Sequence, residues 1–310
     1  MHVWFYEAFE EEVEALRRYL PQQIEAGFTW KTIQESGDLL PPARLISIRT
    51  QSAIPSDWYG RLDGLLARTT GWDHLVGLPL RCGYLPLYCN RAVAEQAMLL
   101  WMALLRRLPQ QIAQFPRFHR DGLTGLECAG KNLLVVGAGH VGSEVVKIGR
   151  GLEMNVRRVD IIPERADVSI DDGMPWADII VCSMNLTPLN RGYFNYARLK
   201  QARRGVIFVN VARGEMSPTA DLVRLLDEGH LGGVGLDVYE DEGKLATELR
   251  SGKGGFPLLG RPNVILTPHN AFNTQEAVER KAQQSIQQIC AFLEGGRFIW
   301  EPPSPLTYAV

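Results

Sequence analysis

The chain has 310 residues, 45% apolar and 22% charged, with 33 Lys and Arg against 35 Asp and Glu, for a formal charge of −2. That composition excludes disordered, collagen-like and coiled-coil classes, and the charge balance offers no general attraction to nucleic acid. The longest uninterrupted apolar run, Ala97–Leu105, falls well short of the roughly 20 residues a spanning helix needs, so no membrane span is expected. A length of 310 predicts two domains, since a single core seldom organises so long a chain. The N-terminus lacks a basic region and turns acidic at Glu7–Glu14, and the 5 cysteines are odd in number without a CxxC pair. No signal peptide, disulfide framework or metal site is expected, and the protein reads as cytoplasmic.

Apolar runs of strand length alternate with helical patterns along the chain. His2–Tyr6 reads as a strand and Glu7–Leu20 as an acidic amphipathic helix. Arg44–Arg49, Gly64–Thr69 and Leu80–Tyr84 read as short strands between Pro and Gly punctuation. Asn90–Leu108 is predicted as a long helix closed by Pro109, and its nearly continuous apolar surface suits either a core or a subunit interface. From Lys131 the alternation is regular. The expected order is strand at NLLVVG, helix His140–Gly151, strands Asn155–Asp160 and Ala177–Cys182, helix near Tyr193–Gln201, strand Gly205–Val211, helix Pro218–Glu228 and strand Gly233–Val238. Such alternation predicts right-handed βαβ units and a parallel sheet covered on both faces. The Gly-rich stretch Glu242–Gly260 reads as one long irregular loop, a frequent place for function.

The strongest local signal is the run Leu133–Gly142, LLVVGAGHVG, which contains GxGxxG as Gly137, Gly139 and Gly142. It follows an apolar strand and opens a helix, the context that raises this motif above a chance match. Gly137 makes the tight turn, Gly139 lets the backbone approach a pyrophosphate, and Gly142 allows helix and strand to pack closely. The amides of His140 and Val141 at the helix start then face the phosphates. Asp160 closes the next strand 21 residues after Gly139, where an acid can accept the ribose hydroxyls of NAD. Arg157 and Arg158 raise the question of NADP, but Ile161 and Ile162, not arginine, follow the acid, so NAD is favoured.

Three downstream clusters carry chemistry at strand ends: Arg213 in FVNVARG, Glu242 in GLDVYEDE, and His269 in LTPHNAF, between Pro268 and an expected helix start. Reversible alcohol oxidation by NAD needs these residue types. A histidine can take the hydroxyl proton near neutral pH, and a carboxylate on the far imidazole nitrogen fixes its tautomer. An arginine offers a planar two-point grip on a carboxylate.

With these clusters in view, the chain resembles the D-isomer-specific 2-hydroxyacid dehydrogenases, most of all their D-lactate dehydrogenase branch. The resemblance rests on RTTGWDHL (68–75), YCNRAVAE (88–95), VVGAGHVG (135–142), VNVARG (209–214), GLDVYEDE (235–242) and NVILTPHNAF (263–272). It implies two Rossmann-like doubly wound α/β domains with the active site in their cleft. A discontinuous substrate domain (1–95 and 273–310) would accompany an NAD-binding domain (96–272). It implies that Arg213 binds the 2-oxo acid, His269 is the acid/base and Glu242 orients it. The Thr70–Gly71 backbone would take the substrate carboxylate beside Tyr88, with Phe272 and Arg49 lining the pocket. Besides the glycine turn and Asp160, the resemblance places Val93, Ile161, Asn185, Asn190, Val211, Ala212 and Asp237 at the cofactor, Asp237 near the nicotinamide.

The chain also departs from the family pattern. Ser183 and Asn185 stand where many members carry His and Pro, and Met216-Ser217-Pro218 replaces a usual Val-Asp pair, with Ser217 expected to cap the next helix. The expected partners are NAD and a small 2-oxo or 2-hydroxy acid, with a homodimer formed through the Asn90–Leu108 helix. Trp58, Trp72, Tyr84, Tyr88, Phe272 and Trp300 could form an aromatic pocket or ordinary core. Two other readings share the scaffold: an NAD-sensing corepressor-type protein, and a dehydrogenase of formate, phosphite or glycerate-type substrates.

Overall fold

Short runs of β-branched residues and leucine, buried on both faces, build two all-parallel sheets; Leu45–Ile48 and Val206–Asn210 expose no residue to solvent on either side. The computed structural model describes residues 1–252 and 254–303. The chain divides into two units, Met1–Cys89 with Asn273–Val310, and Asn90–Phe272. Lys253, inside the stretch expected to be a loop, and residues 304–310, expected in the substrate domain, lie outside the described residues. In the first unit β1 (Val3–Phe5), β2 (Ala26–Phe28), β3 (Leu45–Ile48), β4 (Gly64–Ala67) and β5 (Cys82–Gly83) pair in the order β2-β1-β3-β4-β5. In the second, β6 (Asn132–Val136), β7 (Asn155–Val159), β8 (Ile179–Cys182), β9 (Val206–Asn210), β10 (Leu231–Leu236) and β11 (Val264–Leu266) pair as β11-β10-β9-β8-β6-β7. Both units are therefore doubly wound, Rossmann-like α/β folds, and no helix among the described residues is long and apolar enough to cross a membrane.

In the second unit the helix Asn90–Leu105 is a core element. It packs on β9, β10 and β11 and on the helix His140–Gly151. It buries Ala92, Val93, Ala94, Ala97, Leu100, Trp101, Ala103, Leu104 and Leu105. Its apolar faces are thus used inside the unit. Pro109 does not close it. The helix stops at Leu105, Arg107 turns left-handed, and Pro109 lies in the first turn of a new helix, Leu108–Gln114, where its missing N–H costs nothing. Of the stretch expected as one loop, Glu242–Ser251 is helical, entered through left-handed Asp241 and ended by left-handed Gly252, while residues 254–260 are irregular as expected. Ser217 is not a side-chain cap. Its hydroxyl accepts from Asn210 Nδ2 at 2.8 Å, and Pro218 occupies the cap position of Thr219–Asp227.

In the first unit the expected strands hold, while β2 and the helix Ile33–Ser36 were not foreseen. The helix has a capping box: Thr32 accepts from the Glu35 amide, and Glu35 accepts from the Thr32 amide. The helix that follows the His269 segment begins only at Gln275, capped by Thr274, and runs 21 residues to Gly295. Trp58 and Trp72 belong to the core with Tyr6, Ile46, Ile48 and Leu65, and Tyr84 packs against it, so these three rings are core.

A buried ion cluster ties this unit together. Glu12 Oε1, on the helix Glu10–Tyr19, accepts from Arg68 Nε at 2.8 Å and forms an ion pair with Lys281 Nζ at 2.8 Å, and all three side chains are at most 1% exposed. Arg68 also donates to Ser47 Oγ at 2.9 Å and to the Tyr6 carbonyl at 2.7 Å. Burial pushes the Glu12 carboxyl up, but the charges of Arg68 and Lys281 outweigh it and hold the group well below the usual range. Removing one partner of such a set strands the others without solvent. Glu12→Ala should therefore cost about 3–5 kcal/mol, read as a lower denaturant midpoint for the first unit. An unchanged midpoint would show that the cluster contributes nothing to the fold.

Candidate active site

Parallel strands leave their carboxyl ends together along one edge of the sheet, and ligands of open α/β sheets bind there. In the second unit Gly137 follows β6, Asp160 follows β7, Ser183 follows β8, Arg213 follows β9, Asp237 follows β10 and His269 follows β11. The chain reverses its winding between β6 and β8, and the glycine turn lies at that point. Gly137 is left-handed at φ +92°, and a Cβ on Gly142 would lie 1.9 Å from the Gly137 carbonyl oxygen, so neither position accepts a side chain. A Cβ on Gly139 would meet nothing within 4 Å, which leaves space above the backbone at the start of the helix His140–Gly151. Ser183 Oγ donates to the Gly137 carbonyl at 2.7 Å, so the departure from the family pattern braces this turn.

Asp160 sits beside the turn and is partly exposed. Its Oδ2 accepts from the Ala138 amide at 2.7 Å and its Oδ1 from the Ile162 amide at 2.9 Å; each oxygen keeps a further lone pair. Both preceding arginines are engaged elsewhere. Arg157 stacks 4.3 Å from the Trp176 ring centroid, and Arg158 pairs with Asp167 at 2.7 Å. Ile161 is 91% exposed. Asn190 Nδ2 donates to the Asn185 carbonyl at 2.8 Å and Oδ1 accepts from the Thr187 amide, so Asn190 shapes the loop after β8 while the Asn185 side chain lies exposed. Val93, Val211 and Ala212 are buried.

The Arg213 loop is built by Asn210, fully buried at the end of β9. Its Nδ2 donates to the Arg213 carbonyl at 2.9 Å and its Oδ1 accepts from the Ala212 amide at 3.0 Å. Gly214 allows close approach: a Cβ there would fall 1.8 Å from the Tyr239 carbonyl carbon. The loops after β9 and β10 are therefore in backbone contact. Arg213 is half-buried, with one guanidinium N–H on the Ala212 carbonyl at 3.0 Å.

Asp237 has no exposed surface. Its Oδ1 accepts from Thr267 Oγ1 at 2.5 Å and from the Asn270 amide at 2.9 Å, and its Oδ2 from the Ala271 amide at 2.9 Å. Burial pushes this carboxyl up, against the pull of those donors. It clamps the turn that carries His269. That histidine is left-handed at φ +50°, an uncommon conformation for a side-chain-bearing residue. Its Nδ1 lies 2.7 Å from Glu242 Oε2, and Glu242 Oε1 accepts from the Tyr239 amide at 3.1 Å. A carboxylate can only accept, so Nδ1 carries the hydrogen and Nε2 is the atom able to exchange a proton. The pair keeps 31% and 36% of its side-chain surface exposed, and the Phe272 ring stands T-shaped to the imidazole with centroids 6.5 Å apart.

In the first unit Thr70 and Gly71 follow β4. Thr69 Oγ1 donates to the Gly71 carbonyl at 2.7 Å, and Thr70 Oγ1 lies 3.1 Å from Cys89 Sγ. Among the described residues, neither the Thr70 nor the Gly71 amide donates a hydrogen bond. Tyr88 is buried, its carbonyl accepting from Arg280 Nε at 2.8 Å. Arg49 follows β3, its guanidinium 5.2 Å from the Phe9 ring centroid.

Sequence reasoning named the chemical groups and missed their organisers: Asn210, Tyr239, Thr267 and the bracing role of Ser183. Tyr239 donates to the Thr267 carbonyl at 2.8 Å and so joins the loops after β10 and β11. One signal was available, since Asn210 is a polar residue inside the apolar run VIFVN.

A braced glycine turn, open space at Gly139, a helix start and an acid beside them form a cradle that fits a dinucleotide. The second unit is an NAD-binding domain. The D-isomer-specific 2-hydroxyacid dehydrogenase NAD-binding-domain family matches residues 98–271. The chain is 31% identical over 239 residues to the D-lactate dehydrogenase of Escherichia coli (strain K12), covering 72% of each chain. It is 30% identical over 241 residues to the D-2-hydroxyacid dehydrogenase (NAD+) of Lacticaseibacillus paracasei, covering 73% of this chain and 72% of that one. Among solved structures, D-lactate dehydrogenase from Aquifex aeolicus, complexed with NAD and lactic acid, is similar at a TM-score of 0.83 and 25% identity, with 97% of this chain and 100% of that chain covered. The chain belongs to the D-isomer-specific 2-hydroxyacid dehydrogenase family.

The two glycines of the turn separate folding from binding. Gly139→Ala has room for its methyl, so it should unfold at the wild-type temperature yet bind NADH at least tenfold more weakly by fluorescence titration. Gly142→Ala, forced against the Gly137 carbonyl, should lose both thermal stability and NADH binding. Undiminished NADH affinity in Gly139→Ala would remove the pyrophosphate from this turn.

Proposed function

We propose that this chain interconverts a small 2-oxo acid and its D-2-hydroxy acid, with Arg213, Glu242 and His269 as the reacting set. The observation that carries the reading is the 2.7 Å bond between Glu242 and His269 Nδ1, which leaves Nε2 for the substrate. His269 Nε2 gives a proton to the carbonyl oxygen during reduction and takes it back during oxidation. Glu242 holds the tautomer and steadies the imidazolium. Arg213 polarises the carbonyl and grips the substrate by two parallel N–H groups. The Thr70 and Gly71 amides bind its carboxylate, with Tyr88, Arg49 and Phe272 around its side chain. On this reading the first unit is the substrate domain. Gly137, Gly139, Gly142, the amides of His140 and Val141, and Asp160 hold the dinucleotide; Val93, Ile161, Asn185, Asn190, Val211 and Ala212 line its site. When bound, NADH supplies the hydride.

Asp160 beside the turn, with Arg157 and Arg158 engaged by Trp176 and Asp167, supports NADH over NADPH. The apolar faces of Asn90–Leu105 are used within its own unit. The exposed Leu108, Ile112, Phe115, Phe118 and Leu126 just beyond it better support a homodimer contact. The proposed compartment is the cytoplasm.

Steady-state NADH oxidation across a panel of 2-oxo acids tests the assignment. His269→Ala should lower turnover by about 10²–10⁴-fold while NADH binding stays close to wild type. In the same assay NADPH should serve at least tenfold worse than NADH, the worth of about one charged hydrogen bond. A His269→Ala protein that keeps most of its turnover would take the proton transfer away from His269.

A further inference from the structure

The second unit holds a cavity of about 270 Å³ lined by Leu104, Arg107, Gln110, Gly232, Pro262 and Asn263. Gly232 is the second residue of β10 and Asn263 immediately precedes β11, so the cavity lies at the amino ends of these strands. Arg213, Asp237, His269 and the glycine turn all follow carboxyl ends, and none of them lines it. One wall is a bulge: the register of β10 on β9 shifts between Leu231 and Gly233, and a Cβ on Gly232 would fall 2.4 Å from the Gly205 carbonyl oxygen. Asn263 Nδ2 donates to the Gly232 carbonyl at 3.3 Å and ties the two strands together there. The facing wall is the break between the helices Asn90–Leu105 and Leu108–Gln114. Arg107 stands at that break with φ +52°, and its carbonyl accepts from the Gln111 amide at 3.0 Å. Few side-chain-bearing residues adopt that conformation, and such strain gathers at ligand sites.

Two polar side chains of this cavity have capacity to spare. Arg107 Nη1 donates to the Gly122 carbonyl at 2.8 Å, and the guanidinium makes no ion pair among the described residues. Most of its five N–H donors therefore remain for a ligand. Gln110, three positions on, is half-buried, and its Oε1 is buried and accepts no hydrogen bond among the described residues. A buried acceptor without a donor carries a desolvation cost that an arriving N–H or O–H would remove. Leu104 and Pro262 add apolar surface beside these groups. At roughly 30 Å³ for each water-sized group, the space takes about nine non-hydrogen atoms. A cation, an acceptor and a short apolar wall in a space of that size suit a small organic anion with a donor of its own.

We propose that this cavity is a second binding site, for a small carboxylate with an O–H or N–H on its α-carbon: a 2-hydroxy or 2-amino acid. Arg107 takes the carboxylate, and Gln110 Oε1 accepts from the α donor. A 2-oxo acid offers the same carboxylate but no donor, so it leaves the Gln110 acceptor unanswered. A site built to hydrogen-bond a hydroxyl or an amine rejects the analogue that lacks it. The site therefore tells a 2-hydroxy or 2-amino acid from the corresponding 2-oxo acid, whichever reaction the carboxyl ends of the strands support.

The test is a saturation-transfer NMR titration of the full chain, read on the methyl groups of D- and L-lactate, D- and L-alanine and pyruvate. It is run in an Arg213→Gln background, which removes the proposed catalytic grip on a carboxylate, with Arg107→Gln or Gln110→Leu added. Lactate or alanine should bind saturably, and pyruvate at least about tenfold more weakly. Arg107→Gln should weaken the bound acid by about 10–100-fold. Gln110→Leu should bring lactate or alanine to within about twofold of pyruvate, since the acceptor is gone. Both substitutions should leave NADH affinity at its Arg213→Gln value, a sign that the unit is folded. No saturable binding by lactate or alanine overturns the proposal, as does pyruvate binding equally well, or binding unchanged in Arg107→Gln. Should Arg107→Gln lose NADH affinity through misfolding, Gln110→Leu decides: discrimination against pyruvate that survives it overturns the proposal.

Discussion

At the end of β10 a carboxylate with no exposed surface accepts one hydroxyl and two backbone N–H groups from the turn after β11. Hydrogen bonds to a charged acceptor contribute about 1.5–3 kcal/mol each, against about 1–3 kcal/mol to hold a residue such as His269 in a left-handed conformation. The Asp237 clamp therefore outweighs the strain and fixes the imidazole where Glu242 can reach Nδ1. Tyr239 bonds to the same turn and meets Gly214, which links the Arg213 loop to the set. Three loops from adjacent strands are thus locked together, the preorganisation that the proposed proton transfer and substrate grip both require.

Backbone strain follows the same distribution. Six residues other than glycine have positive φ among the described residues, and three of them, Glu7, Asp241 and His269, lie at strand-end clusters with candidate chemistry. Asp241 turns the chain so that Glu242 opens a helix facing His269, and Glu7 turns it so that its carboxylate gathers the amides after β3. In each case polar contacts hold the strained residue in place. The first unit adds a buried ion cluster, in itself weak evidence of stability.

Much of this was legible in the sequence. Strand and helix alternation gave the winding, and the glycine turn declared itself through the strand before it and the helix after it. Arg213, Glu242 and His269 stood out as residue types suited to alcohol oxidation past strand ends, and the fold brings Glu242 and His269 together. What escaped depends on contacts distant in sequence. The clamp by Asp237 joins residues 30 or more positions apart, and no local pattern announces it. Gly243, Gly252, Gly254 and Gly255 disguised the helix Glu242–Ser251, although Lys244 and Glu248 stand one helical turn apart on its face. β2 is a three-residue edge strand, half-buried throughout, too short for any periodicity to register. Ser217 looked like a cap because its position suited one; Asn210 claims its hydroxyl instead.

Both units turn the carboxyl ends of their parallel strands to polar side chains, and in the second these ends carry the dinucleotide cradle and the Glu242–His269 pair. The central claim is that these groups reduce a 2-oxo acid with one handedness. It is tested most directly by reducing a 2-oxo acid with limiting NADH and resolving the enantiomers of the product. The account predicts one D-2-hydroxy acid formed for each NADH consumed. An L or racemic product, or NADH consumed without any 2-hydroxy acid, would contradict it.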